Sequence, residues 1–104
     1  MLRLLYLRLV IGKAKDDAIV ADARQAVESA KLYLASNPGT SKESLSNEDL
    51  HDYFDGGKLD SFSVSIDKGK VTGITFIYDS TNYDATPEEL STEGIELSSL
   101  KTSS

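Results

Sequence analysis

Over the first third of the chain, hydrophobic positions recur at the spacing of a helix with one buried face. From Lys13 to Ser36 the sequence is Ala-rich and contains neither Gly nor Pro, which favours a helix. Stepping 100° per residue places Ile19, Ala23, Ala26, Val27, Ala30, Tyr33 and Leu34 on one side. Asp17, Arg24, Glu28 and Lys31 fall opposite. The upper part of that apolar stripe is mostly Ala, so another element can approach it closely. Asn37, suited to a left-handed conformation, and Pro38, which cannot continue a helix, mark the stop. Upstream, Met1 to Ile11 is strongly apolar, interrupted by Arg3 and Arg8, and free of breakers. Continuity through Gly12, where glycine costs about 1 kcal/mol relative to Ala, is left open by the pattern. A continuous helix would be roughly 45 Å long at 1.5 Å per residue. That is too long for a compact domain of this size, so its N-terminal end would protrude and demand a partner.

After this helix the pattern changes. Asn37 to Leu45 reads as a polar linker. Ser46 has the character of an N-cap, with Asp49 three residues on and Leu50, Tyr53 and Phe54 on one face, predicting a helix of about two turns. Asp55-Gly56-Gly57 would end it. In Ser61 to Asp67, Phe62, Val64 and Ile66 alternate with serines, the period of a strand with one buried face. Asp67-Lys68-Gly69-Lys70 predicts a hairpin turn, and Val71 to Tyr78 the return strand, with Ile74, Phe76 and Tyr78 on one side and a bulge at Gly73. Thr86-Pro87-Glu88-Glu89 combines an N-cap, a first-turn Pro and a capping-box Glu, predicting one helical turn ending near Gly94. Ile95 to Leu97 is expected as an edge strand. The fold class expected is α+β, a long N-terminal helix packed on a small antiparallel sheet. Residues 1–12 form its apolar extension, 13–97 the domain and 98–104 a disordered tail.

Composition adds exclusions rather than a function. With 104 residues there is room for one core, and 39% apolar and 27% charged residues are ordinary for a globular domain. The net charge is −6, with 11 basic residues scattered among 17 acidic ones. Phosphate backbones are recognised by clustered Lys and Arg, so nucleic acid is not an expected partner, and neither is an anionic lipid surface. The absence of cysteine rules out disulfides, a thiolate nucleophile and Cys-ligated metal. The eleven-residue apolar start falls short of the ~20 residues that span a bilayer, so membrane attachment would need a hydrophobic segment absent here.

Candidate chemistry is sparse. His51 beside Asp52 is half of an acid–base pair without a nucleophile motif around it. Asp79, Asn82 and Asp84 supply oxygen ligands, but the spacing lacks the EF-hand glycine and puts Leu90 where a bidentate Glu belongs. Asp55 and Asp60 flank Gly56-Gly57-Lys58, which has neither Walker spacing nor a preceding strand. No catalytic, cofactor-binding or metal residues are therefore expected, and the chain is not expected to be an enzyme.

The order of elements, a long Ala-rich helix, a polar linker and an antiparallel hairpin, resembles the soluble part of a type IV pilin or pseudopilin. The segment Leu9-Val10-Ile11-Gly12-Lys13-Ala14-Lys15-Asp16-Asp17-Ala18 to Ala30-Lys31-Leu32-Tyr33-Leu34 is similar to that family's transition into the amphipathic half of its helix. Asp49-Leu50 to Leu59-Asp60 resembles the linker of Gram-positive members, which also tend to lack cysteine. The likeness runs from Leu9 to Tyr78. The family's leader ending in Gly, its Phe-Thr-Leu and the Glu five residues into the mature chain have no counterpart here, so leader cleavage is carried over to no position, and Met1 to Arg8 are read as foreign or partial. The resemblance implies a structural subunit of an extracellular filament, self-associating through its N-terminal helix at the bacterial surface. The competing expectation is a small extracytoplasmic binding or inhibitory domain of cystatin-like or PepSY-like form, working through a loop or an edge strand.

Overall fold

The computed structural model describes residues 2–102, with side chains from Asp17 onward. Helix α1 (Leu2–Ser36) is continuous across Gly12 for 35 residues, so the good helix formers on either side outweigh one glycine. Its stop differs in detail from the expectation. Asn37 does not adopt positive φ; its backbone N–H and its side-chain amide both donate to the Tyr33 carbonyl at 2.9 Å. Pro38 follows, and the left-handed residue is Gly39, at φ 84°.

Four antiparallel strands, β1 (Ser44–Ser46), β2 (Ser61–Asp67), β3 (Lys70–Tyr78) and β4 (Thr81–Ala85), lie side by side in chain order. The predicted hairpin is β2–β3, closed by Lys68 and Gly69 at φ 52° and 78°. Its bulge lies beside the expected position: Ser65 pairs with Gly73 but Ile66 with Val71, leaving Thr72 as the extra residue. Gly73 has a separate reason to lack a side chain, because a Cβ there would lie 3.3 Å from the Ala85 carbonyl oxygen on β4.

The inner face of the sheet carries Leu45, Phe62, Val64, Ile66, Ile74, Phe76 and Ala85, all buried. Against it lie Ile19, Val20, Ala23, Ala26, Val27 and Ala30 of α1, with Tyr33 and Leu34 partly buried at the end of the stripe. This is the face expected from the sequence. The buried alanines bring the helix backbone close to the strands, and Ser29 joins them because its hydroxyl is satisfied internally by the Gln25 carbonyl at 2.8 Å.

Four expectations are corrected. The two-turn helix at Ser46 to Phe54 is absent: Ser44–Ser46 is strand β1, and Asn47 to Tyr53 form turns. Leu50 and Phe54 each make an i to i−4 bond, to Ser46 and Leu50, but His51 and Tyr53 bond at i−3, so helical bonds never run consecutively. Tertiary demands decide this, since Leu45 pairs with Val64 and is fully buried. The loop at Asp79 to Asp84 is largely strand β4, entered by a turn in which Asp79 and Ser80 have φ 51° and 62°, the backbone of a two-residue hairpin without glycine. Ile95 to Leu97 is not an edge strand. Leu97–Leu100 instead forms a 3-10 turn, η1, that buries Leu97 and Leu100. The chain expected as a tail thus remains ordered to Thr102, whose N–H donates to the Asn82 carbonyl at 2.9 Å while Lys101 bridges to Tyr83. Residues 103 and 104 lie outside the described residues.

Candidate functional site

The feature with most capacity to act is α1 itself, and three groups of residues set where it points. On one flank, the Asp22 carboxylate accepts the Lys58 backbone N–H at 2.8 Å. Asp55 holds the same loop by accepting the Gly57 N–H at 2.9 Å. Gly57, at φ 55°, is pressed so close to α1 that a Cβ would come within 2.6 Å of the Asp22 carboxylate. The Gly-Gly pair is therefore a docking point for the helix. On the other flank, the Arg24 guanidinium Nε donates to the Leu90 carbonyl at the end of α2 (Pro87–Ser91). That short helix is held by the expected capping box: Glu89 N–H to Thr86 Oγ1 at 3.1 Å, and Thr86 N–H to Glu89 Oε1 at 2.8 Å. Beneath lies the sheet. From Ile19 to Leu34 the helix is thus gripped on three sides.

A second polar cluster braces the far side of the sheet. Asn47 Oδ1 accepts the Phe62 N–H at 2.8 Å, tying the turn segment to the start of β2. Asp49 Oδ2 accepts the Ser46 N–H at 3.0 Å and the Ser46 hydroxyl at 3.3 Å, while Lys42 Nζ lies 3.2 Å from Oδ1. The Ser46 backbone N–H, and then the Lys42 ammonium and Ser46 hydroxyl, hold the Asp49 carboxyl below its ordinary value of 3.8 against the opposing effect of partial burial. A folded-state value below the unfolded one gives stability that is complete above 3.8 and lost as pH falls through the folded value. In thermal melts, the advantage of the native chain over Asp49→Asn is expected to shrink from pH 7 toward pH 3. An advantage that stays constant would mean that the charge on Asp49 is not what Ser46 and Lys42 recognise.

The residues weighed for chemistry are dispersed. His51 Nδ1 and Asp52 Oδ1 lie 3.7 Å apart, and the side chains are 82% and 93% exposed. Asn82 and Asp84 occupy exposed positions of β4 and face away from the core, with Asp79 in the preceding turn. Asp55 serves the Gly57 turn, and Asp60 donates its N–H to the Ile77 carbonyl at 2.8 Å. Among the described residues no group of three or more acidic or His side chains is placed to hold a metal ion. The outer face of the sheet bears a shallow groove of about 370 Å³ floored by Ser61, Ser63, Thr75 and Ile77. No helix among the described residues is long and apolar enough to cross a membrane.

Sequence reading missed the Asp22 contact and the Arg24 contact, because each joins residues 36 and 66 positions apart. A signal for β4 was present: Thr81, Tyr83 and Ala85 alternate with Asn82 and Asp84. That period coincides with the oxygen-bearing residues Asn82 and Asp84. Comparison with known proteins adds no relative, since no family model, curated protein or solved structure matches this chain.

Proposed function

We propose that this chain is a structural subunit of type IV pilin or pseudopilin kind, assembling through its N-terminal helix into an extracellular filament at a bacterial surface. The observation that carries this reading is the mismatch between α1 and the body it packs on. Thirty-five residues of helix extend roughly 52 Å at 1.5 Å per residue, while the molecule measures 58 × 28 × 25 Å. The buried stripe from Ile19 to Leu34 accounts for the part of α1 that lies on the sheet. The remainder, toward Leu2, is in sequence the most apolar stretch of the chain. An apolar helical segment projecting from a well-packed domain calls for another protein surface, and identical helices side by side satisfy that need in a filament. In this reading the domain performs no catalytic step, and its partners are further copies or related subunits.

The competing reading, a binding or inhibitory module, would need a free strand edge or a projecting loop as its working surface. The outer edge of β4 is engaged by Lys101 and Thr102, and β1 at the other edge has three residues. Both facts weigh against strand addition.

Deleting Met1–Ile11 separates the two readings. For a filament subunit the far-UV spectrum per residue of the remaining domain is expected to keep its form, cooperative melting to persist, and any oligomer seen by sedimentation to disappear. Loss of cooperative melting in the shortened chain would place the segment in the core and count decisively against an assembly helix.

A further inference from the structure

The outer face of the sheet carries almost no charge, in a chain that is 27% charged. Strand register sets its side chains in cross-strand rows. Ser63, Thr75 and Asp84 form one row, and Ser61, Ile77 and Asn82 the next. All six point away from the core, since they alternate with Phe62, Val64, Ile74, Phe76 and Ala85 on the inner face. Only Asp84 among them ionises, and it has no ion-pair partner among the described residues. The same six residues line the groove of about 370 Å³. Neighbouring strands lie about 4.8 Å apart and alternate residues of one strand about 6.7 Å, so the two rows span a footprint of sugar-ring dimensions.

We propose that this groove binds a neutral saccharide, with the sugar lying across the two rows. The site goes beyond the filament reading and does not depend on it. Charge complementarity selects the class of ligand. An anionic ligand is repelled by Asp84 and by a net charge of −6, and a cationic one meets a single carboxylate rather than a concentrated field. A protein partner would bury an apolar centre, and here the one apolar side chain is Ile77, 36% exposed. What the two rows offer is directional. The Ser61, Ser63 and Thr75 hydroxyls each donate and accept, the Asn82 amide does both, and the Asp84 carboxylate accepts from two neighbouring O–H groups. A pyranose presents the complement: adjacent hydroxyls for Asp84 and Asn82, and an apolar C–H face for Ile77. Its hydroxyls replace the water bonds of the groove, and no charge on the ligand has to be desolvated. The floor is also held before binding. Strand β3 is paired on both sides, and Thr102 ties the outer edge of β4 through the Asn82 carbonyl at 2.9 Å, so little ordering entropy is lost.

Saturation-transfer difference NMR on the full chain tests this, because it reads the ligand's own protons and tolerates an assembled protein. The probes are cellotetraose, maltotetraose and chitotetraose, all neutral, with the glucosamine tetramer as the cationic counterpart of the last. At least one neutral probe is expected to receive saturation on its ring C–H protons, with a dissociation constant on the order of 1 mM. It should bind at least as well as the glucosamine tetramer. Asp84→Ala is expected to weaken binding about tenfold or more, as loss of a charge-assisted hydrogen bond does. Ser63→Lys should abolish binding by filling the groove, and both variants should melt as cooperatively as wild type. Absence of saturation in all three neutral probes at millimolar concentration would overturn the inference, as would equal binding by wild type and Ser63→Lys. Tighter binding of the glucosamine tetramer, lost in Asp84→Ala, would make the groove a cation site instead. Self-assembly without sugar that Ser63→Lys abolishes would assign the face to a second copy of this chain, and would overturn the inference too. Should Ser63→Lys fail to fold, Asp84→Ala decides the matter, since Asp84 is exposed on β4.

Discussion

Replacing Phe76 by Ala is expected to destabilise the domain by about 3–5 kcal/mol, the range for deleting a fully buried aromatic side chain. Phe76 is 1% exposed. It lies in the middle of β3, paired with Phe62 on one side and Tyr83 on the other. Its ring stacks on that of Tyr83 with centroids 5.2 Å apart and planes at 16°, so the substitution also removes an aromatic contact worth roughly 0.5–1.5 kcal/mol beyond area burial. Small domains hold about 5–15 kcal/mol in total, so the variant should unfold at far lower urea, with the midpoint displaced and the slope unchanged. A loss below 1 kcal/mol would mean that the helix and the sheet do not meet through this face.

Leu100→Ala is expected to cost about 2–5 kcal/mol, the range for a buried leucine. This is the sharper test of the C-terminal segment, because composition alone predicts no effect there. Leu100 is 2% exposed and Leu97 4%, and the 3-10 turn that carries them leads into the Thr102 bond to Asn82 on β4. The turn thus closes the core and also occupies the outer edge of the sheet, where unpaired strand groups would invite aggregation. Lys101→Ala, at an exposed position of the same segment, serves as the control and should fall within about 0.5 kcal/mol of wild type. If Leu100→Ala matched that control in equilibrium unfolding, the segment would contribute nothing to the core.

Local chemistry was enough to specify α1, the β2–β3 hairpin and the capping box of α2. The helix is legible because Ile19, Ala23, Ala26, Val27 and Ala30 repeat at its own period. The hairpin is legible because Phe62, Val64 and Ile66 alternate with serines and a Lys-Gly turn follows. The cap is legible because Thr86, Pro87 and Glu89 satisfy one another within four residues. Each of these depends on neighbours that the chain itself places side by side.

What only the tertiary structure decided depends on partners far apart in sequence. Ser46 to Phe54 has the composition of a capped helix, but β2 offers Leu45 a strand partner and a fully buried site, and that gain outweighs two turns of isolated helix. Ser98 to Thr102 is polar by composition, so the value of Leu100 emerges only when a core exists to receive it. Gly57 reads as an ordinary helix terminator until Asp22, 35 positions earlier, is found against it. The same holds for Asp60 and Asp79, which lie 19 positions apart in the sequence. Antiparallel pairing collects Asp60 and Asp79 at one end of the sheet. Sequence pattern determines which face each element buries, because periodicity is local; which elements form at the margins, and which charges become neighbours, is decided by packing, because only folding brings those groups within reach of one another.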